Sequence, residues 1–268
     1  GGSRTHAYNT DFGGNIRIDT AGGVVSNCVI RNASCTSRYP RGIGIYLDSE
    51  AALVTQCVIT NNYTSGRYDI ERYGIGVHIK NGTIENSLVA DNYSNNITED
   101  ESLRENISTG GIYIENGAVI NCTVVRNKGH QNGGIYATAN AFIVNTVAVG
   151  NELTGPTDKV TQAYDFGGEL ENATNCVAQV LTRVAEGAEA VVFPDTNSCL
   201  VSDASSLFRD YAAGDFFPKD KSILINKGTN LVKPSSEVDL KGKARINYSI
   251  IDIGAYEYLD NQTIIIIR

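Results

Sequence analysis

Apolar residues in this chain alternate with a period of two over short runs, and each run begins or ends at Gly or Asn. Ile45-Tyr46-Leu47, Val77-His78-Ile79, Ile112-Tyr113-Ile114 and Ile135-Tyr136-Ala137 follow Gly44, Gly76, Gly111 and Gly134, and Gly14 and Gly168 open looser versions. Such alternation predicts half-buried strands; an amphipathic helix would show a period near 3.6. A second pattern of seven residues ends in Asn. It reads Ser26-Asn27-Cys28-Val29-Ile30-Arg31-Asn32 and Thr55-Gln56-Cys57-Val58-Ile59-Thr60-Asn61, then Asn86 to Asn92, Asn121 to Asn127 and Asn145 to Asn151, with a weaker copy at Thr174 to Ala178. Subtracting the terminal Asn positions in turn gives spacings of 29, 31, 35 and 24. A third short strand precedes each Asn motif, as in Gly23-Val24-Val25, Ala52-Leu53-Val54, Gly82-Thr83-Ile84 and Ala118-Val119-Ile120.

One repeat of three short strands cannot bury an apolar face alone, whereas stacked repeats share a continuous core. Asn suits the corners because it tolerates left-handed backbone, and in-register Asn side chains can form an amide ladder. The expected fold is all-β: a parallel β-helix of about seven coils over residues 1–205, with three short strands per coil. The usual crossover preference makes it right-handed. From about Ser206 the repeat fades. Residues 206–260 are expected to form a β-rich cap over an end of the solenoid, which otherwise exposes its core and strand edges. A tail, 261–268, follows.

Composition narrows the partners. The formal charge of −8 argues against nucleic acid and anionic membrane, which call for clustered Lys and Arg. No apolar run approaches the ~18 residues of a membrane span. With no Met and the opening Gly1-Gly2-Ser3, the chain reads as a processed fragment. Of six cysteines, Cys28, Cys57 and Cys176 share a corner position and Cys122 falls one place off, so a stack of small buried thiols is expected. A Cys28–Cys57 bridge is sterically open. No CxxC pair suggests zinc. His6, His78 and His130 stand alone, with His78 expected on the outer face of its strand. Arg245, Asp252 and Glu257 are read as structural polar groups of the C-terminal segment.

These motifs resemble the large family of right-handed parallel β-helix repeat proteins, through the Gly-x-Tyr-hydrophobic strands and the Asn-Cys-x-Val-x-x-Asn corners. The C-terminal segment carries Gly214-Asp215-Phe216-Phe217-Pro218, Ile223-Leu224-Ile225-Asn226-Lys227-Gly228, Asp239-Leu240-Lys241-Gly242 and Asp252-Ile253-Gly254-Ala255-Tyr256-Glu257. In that order they resemble the "choice-of-anchor Q" module of secreted β-helix proteins, many from Bacteroidetes. That resemblance covers about fifty residues and implies a protein exported to the outer surface of a bacterium; it implies no reaction. Asn9-Thr10-Asp11 is similar to a stretch of β-helix pectin hydrolases, but their paired Asp-Asp and Gly-His-Gly partners are missing, so it reads as a corner feature.

Function is sought in the insertions that follow the Asn corners, because equivalent insertions project from one edge of a solenoid. They hold Tyr39, Arg41, Tyr63, Arg67, Tyr68, Arg72, Tyr73 and Tyr93. Tyr offers an apolar face with a polar tip, and Arg matches carboxylates. The expected partner is a polysaccharide, bound by a monomer without a cofactor. A lyase or glycoside hydrolase is the alternative; a lyase would add calcium and need clustered carboxylates, for which Asp11, Asp165, Glu169 and Glu171 are the candidates. A structural spacer on the cell surface is the third reading.

Overall fold

The structure, a computed structural model, describes residues 3–4, 10–12, 14–36, 39–64, 71–94, 107–130, 132–154, 165–179, 198–232, 234–246 and 250–259. It is nearly all β, and its three large sheets are wholly parallel. In the eight-stranded sheet the path runs Phe166–Gly168, Ile135–Val144, Ile112–Ile120, Val77–Glu85, Ile45–Thr55 and Ile16–Ile18, with Ala173–Thr174 and Gly23–Ser26 pairing beside it. The seven-stranded sheet runs from Leu200–Val201 through Val177–Ala178, Val147–Val149, Thr123–Val125, Leu88–Ala90 and Val58–Thr60 to Val29–Arg31. The six-stranded sheet consists of two-residue strands, from Ser3–Arg4 to Glu152–Leu153. The chain visits the three sheets in turn and then returns to the first, which is a solenoid-like path.

Two details differ from the expected three short strands. The Gly-x-Tyr strand and the strand before the Asn motif run on as one, as in Ile45–Thr55 and Val77–Glu85. Register shifts around Asn81 absorb the bend between them. The six-stranded sheet instead occupies what reads in sequence as the start of the insertions: Ser34–Cys35, Tyr63–Thr64 and Tyr93–Ser94 are wall, not loop.

Corner chemistry explains the Asn pattern. Asn27, Gln56, Asn86, Asn121, Asn145 and Asn175 have φ between 46° and 52° and turn the chain out of the eight-stranded sheet. Asn32, Asn61, Asp91, Arg126 and Gly150 hold a second left-handed corner. The residue after that second corner faces inward: Asn62, Asn92, Asn127 and Asn151 are fully buried. Aligning the motif on its last Asn therefore mixes two positions, because Asn32 and Asn61 are corners whereas Asn92, Asn127 and Asn151 are core. Corrected for this slip, Asn62, Asn92, Asn127 and Asn151 form the expected amide ladder, each Nδ2 donating to the next Oδ1 at 2.9–3.0 Å. The same slip hid Cys122, which lies in register with Cys57 and Cys176.

The glycines are the other half of this ladder. A Cβ on Gly44, Gly76 or Gly111 would stand 2.4–2.8 Å from the carbonyl oxygen of the next glycine in the row, and 2.9–3.2 Å from an Asn Nδ2. Only a bare backbone lets the amide row lie against this strand start. Ile16 pairs with Ile45 and Phe166 with Ile135, so Asn15 and Asp165, not Gly14 and Gly168, end the glycine row. Both are polar and both terminate the ladder. Asn15 Nδ2 donates to Asn62 Oδ1 at 3.3 Å, and Asp165 Oδ1 accepts from Asn151 Nδ2 at 3.0 Å.

Inside, Ile45, Val77, Ile112, Ile135 and Phe166 stack on one another, as do Ile59, Val89, Val124, Ala148 and Ala178. Each fully buried aliphatic side chain contributes about 1.5–3 kcal/mol. The C-terminal segment carries little sheet of its own and lies along a flank of the stack. Among its described residues the regular structure is one helical turn, Ala204–Leu207, one antiparallel pair, Phe208–Asp210 with Asp215–Pro218, and an isolated antiparallel bridge between Val238 and Ala244. It packs Leu207, Phe208, Phe216, Leu224, Ile253 and Tyr256 against the outer face of the seven-stranded sheet, on Leu88, Val125, Val147, Val149 and Val177. Those strands are apolar on both faces, as a sheet covered on both sides requires.

Latches at the corners hold this flank. Gln56 Nε2 donates to Asp239 O at 3.1 Å, Asn145 Nδ2 to Thr229 O at 3.0 Å, and Asn175 Nδ2 to Lys227 O at 3.0 Å. Glu85 accepts the Ser235 N–H at 2.8 Å. Corner residues that read in sequence as turn formers thus also bind the C-terminal segment. No helix among the described residues is long and apolar enough to cross a membrane.

Candidate functional site

Alternation on the eight-stranded sheet sends every second side chain outward. Register places Arg17, Tyr46, His78, Tyr113, Tyr136 and Gly167 in one outward row. His78 does face out of the core, yet it is fully buried, because Tyr46, Tyr73 and Tyr113 surround its ring at centroid distances of 5.1, 5.6 and 5.2 Å. Its Nε2 lies 2.8 Å from Glu115 Oε1. Burial pulls the His78 pKa below its ordinary value, so the ring is neutral at pH 7 and its Nε2–H donates to the carboxylate. That bond, ahead of an opposing burial effect, holds Glu115 below the usual carboxylate range. Burial would raise Asp48, but hydrogen bonds from Lys80 and Asn81, at 2.9 and 3.1 Å, outweigh it and leave its pKa lowered.

Glu115, Lys80, Asn81, Tyr73 and Tyr113 from this cluster line an open cleft of about 560 Å³. Arg41 and Lys80 bring positive charge, Glu115 negative charge, and Tyr73 and Tyr113 aromatic surface. Asn81, Asn116, Asn140 and Thr138 add amides and a hydroxyl. The arrangement is held at several points. The Arg41 guanidinium lies 4.9 Å from the Tyr73 ring centre, Tyr113 and Tyr136 stack within 2° of parallel, and Asn116 Nδ2 donates to Asn81 Oδ1 at 2.8 Å. Burial pushes the Tyr113 phenol well above its ordinary pKa and Tyr46 up to about 12, so both are hydrogen-bonding hydroxyls at neutral pH. The cleft thus sits on the sheet and brings donors and acceptors together with tyrosine rings.

The residues singled out in sequence divide into four groups. Arg41 and Tyr73 line the cleft, and an isolated bridge joins their backbones. Tyr39 and Arg72 lie on the short strands that lead to them, Tyr39–Arg41 and Glu71–Arg72. Tyr63 and Tyr93 belong to the six-stranded sheet and line no part of the cleft; their rings stack at 5.4 Å and 8°, so they turn their faces to each other. Arg67 and Tyr68 lie outside the described residues. Asp11 and Asp165 do not come together: Asp165 is buried in the amide ladder, while the strand of Asp11 pairs with Tyr39–Arg41 near the other end of the stack. Among the described residues no three His, Cys, Asp or Glu side chains gather as a metal site.

Tyr113, Glu115, Lys80 and the Asn81–Asn116 pair are absent from the sequence-based site. A signal for them exists in the Gly-x-Tyr motif, whose middle residue recurs as Tyr46, His78, Tyr113 and Tyr136. Read as an outward row rather than as a mark of the fold, it points to this face. Searches for related proteins return no matching family model, no matching curated protein and no matching solved structure.

Proposed function

We propose that this chain is a bacterial cell-surface binding protein, a right-handed parallel β-helix of about seven coils that engages polysaccharide through the outer face of its eight-stranded sheet. The observation that carries this reading is the cleft itself, where two cations, a carboxylate, amides and tyrosine rings come together on the sheet. Hydroxyl-rich ligands are recognised by such mixtures of planar polar groups and ring surface. Export and surface display rest on the resemblance of the C-terminal motifs. Binding is favoured over hydrolysis because a glycosidase needs one carboxyl group that keeps its proton near neutral pH. Asp48 and Glu115 are both shifted the other way.

A sized-glycan assay tests the reading. Pectic, mucin and neutral plant polysaccharides are incubated with the protein, with and without calcium, and both retention and chain length are measured. Retention of intact chains is expected. Arg41→Ala and Tyr113→Ala should each weaken retention about tenfold, roughly 1.4 kcal/mol, while Tyr63→Ala leaves it unchanged. Shortened chains would replace this reading with an enzyme. Retention of no glycan would favour the spacer.

A further inference from the structure

Each first corner is followed by a small residue in one repeated conformation: Cys28, Cys57, Ser87, Cys122, Thr146, Cys176 and Cys199. Six of these side chains bond back to the carbonyl two residues earlier, from Cys28 Sγ to Ser26 O at 3.0 Å through Cys176 Sγ to Thr174 O at 3.3 Å. The thiols therefore stack along the axis in a single row. From Cys57 onward each thiol also leans toward the preceding coil. Cys57 Sγ reaches Val25 O at 3.6 Å, Cys122 reaches Ile84 O at 3.7 Å, Cys176 reaches Ile143 O at 3.5 Å, and Cys199 reaches Ala173 O at 3.8 Å.

Direction and register together select the pairs. Val29 pairs with Val58, and Val177 with Leu200, so the preceding cysteines stand side by side on neighbouring parallel strands. Parallel neighbours lie ~4.8 Å apart, inside the Cα range that a disulfide spans. Cys122 leans toward Ser87, and Cys176 has Thr146 on its other side, so a hydroxyl separates Cys122 from each neighbouring thiol. Cys35 belongs to the six-stranded sheet, between Arg4 and Thr64. No disulfide joins any of the six cysteines in the structure.

We propose that the two ends of this row are disulfide-forming sites, Cys28–Cys57 and Cys176–Cys199, and that Cys35 and Cys122 stay reduced. The oxidant is a small disulfide such as oxidised glutathione. Exposed Cys28, or partly exposed Cys199, attacks as the thiolate and forms a mixed disulfide as one glutathione thiolate leaves. The buried neighbour, Cys57 or Cys176, then loses its proton, attacks the protein sulfur and expels the second glutathione. Two protein thiols are oxidised and one glutathione disulfide is reduced to two thiols. Burial raises Cys57 to about 11 and Cys176 well above its ordinary value, so closure is the slow step at neutral pH. Each bond would staple a coil at one end of the seven-stranded sheet, as the described residues form it, to its neighbour.

The test is thiol counting by mass. Native protein is held with oxidised glutathione, unfolded without reductant, alkylated and digested. Two alkylated cysteines are expected, Cys35 and Cys122, with peptides linked as Cys28–Cys57 and Cys176–Cys199. Cys28→Ser should add one alkylated residue, Cys57, and keep the second link; Cys199→Ser should do the same for Cys176. Six alkylated thiols overturn the proposal. So do lasting glutathione adducts on Cys28 and Cys199, or any link that contains Cys35 or Cys122.

Discussion

Asn127→Leu is expected to destabilise the protein by about 3–5 kcal/mol, read as a shift of the urea midpoint at unchanged slope. Asn127 sits in the middle of the amide ladder. Its Oδ1 accepts the Asn92 N–H at 3.0 Å and Asn92 Nδ2 at 2.9 Å, while its Nδ2 donates to Val89 O at 2.9 Å and Asn151 Oδ1 at 3.0 Å. Leucine fills a similar volume and supplies none of these bonds. The Asn92 N–H and the Val89 carbonyl each lose a partner where water does not reach, at about 1–3 kcal/mol apiece. Crowding adds to this, because Asn127 lies against the bare backbone of Gly111. Asn61→Gly is the matched control. Asn61 is exposed with φ of 54°, a conformation glycine adopts freely, so its replacement should cost under about 0.5 kcal/mol. Equal losses at the two positions would mean that the ladder is not what holds the coils in register.

That contrast also shows how far the sequence could be read. Period-two alternation and the recurring Gly and Asn were enough for a parallel, repeat-built β fold, because those signals are local and each coil repeats them. The function of each Asn was not local. Asn61 and Asn62 are neighbours, yet one turns the chain and the other joins the core, and only register against Asn92 tells them apart. The C-terminal segment was harder still. Its apolar residues gave no period, and its target is the outer face of strands such as Leu88–Ala90, whose unbroken apolar character is the one sequence trace of a second covering layer. At the site, Arg41 and Tyr73 were legible as Tyr- and Arg-rich insertion residues, whereas Glu115 and Lys80 were hidden among the ordinary outward charges of long strands. What distinguishes Glu115 is His78, thirty-seven positions earlier and one strand away.

The C-terminal segment supplies the second large expected effect. Arg245→Met should destabilise this flank by about 3–5 kcal/mol near pH 8 and by much less near pH 5. Arg245 is 2% exposed and lies 3.2 Å from Glu257, itself 2% exposed. Its Nη2 also donates to Gly254 O at 2.9 Å. Asp252 Oδ2 accepts the Tyr258 N–H at 2.6 Å and Asp252 Oδ1 the Asn226 N–H at 2.7 Å, so the carboxylates knit the last turns together. Burial raises Glu257 from 4.5 to about 8 and also raises Asp252, while the Arg245 charge opposes both shifts. The sign follows from linkage. With its folded pKa above its unfolded one, Glu257 contributes fully below 4.5 and loses that contribution as pH rises through 8. Without the guanidinium both carboxyl groups are pushed further up. At pH 5 Glu257 is protonated and the missing cation matters less, whereas at pH 8 the fold must bury unpaired charge or release the segment. Limited proteolysis should then cut the variant within 206–259 at pH 8 while the parallel sheets stay protected, and the cleavage should slow at pH 5. A deficit of equal size at both pH values would assign the loss to packing of the Arg245 side chain and not to its charge, since only the charge makes the cost depend on protons.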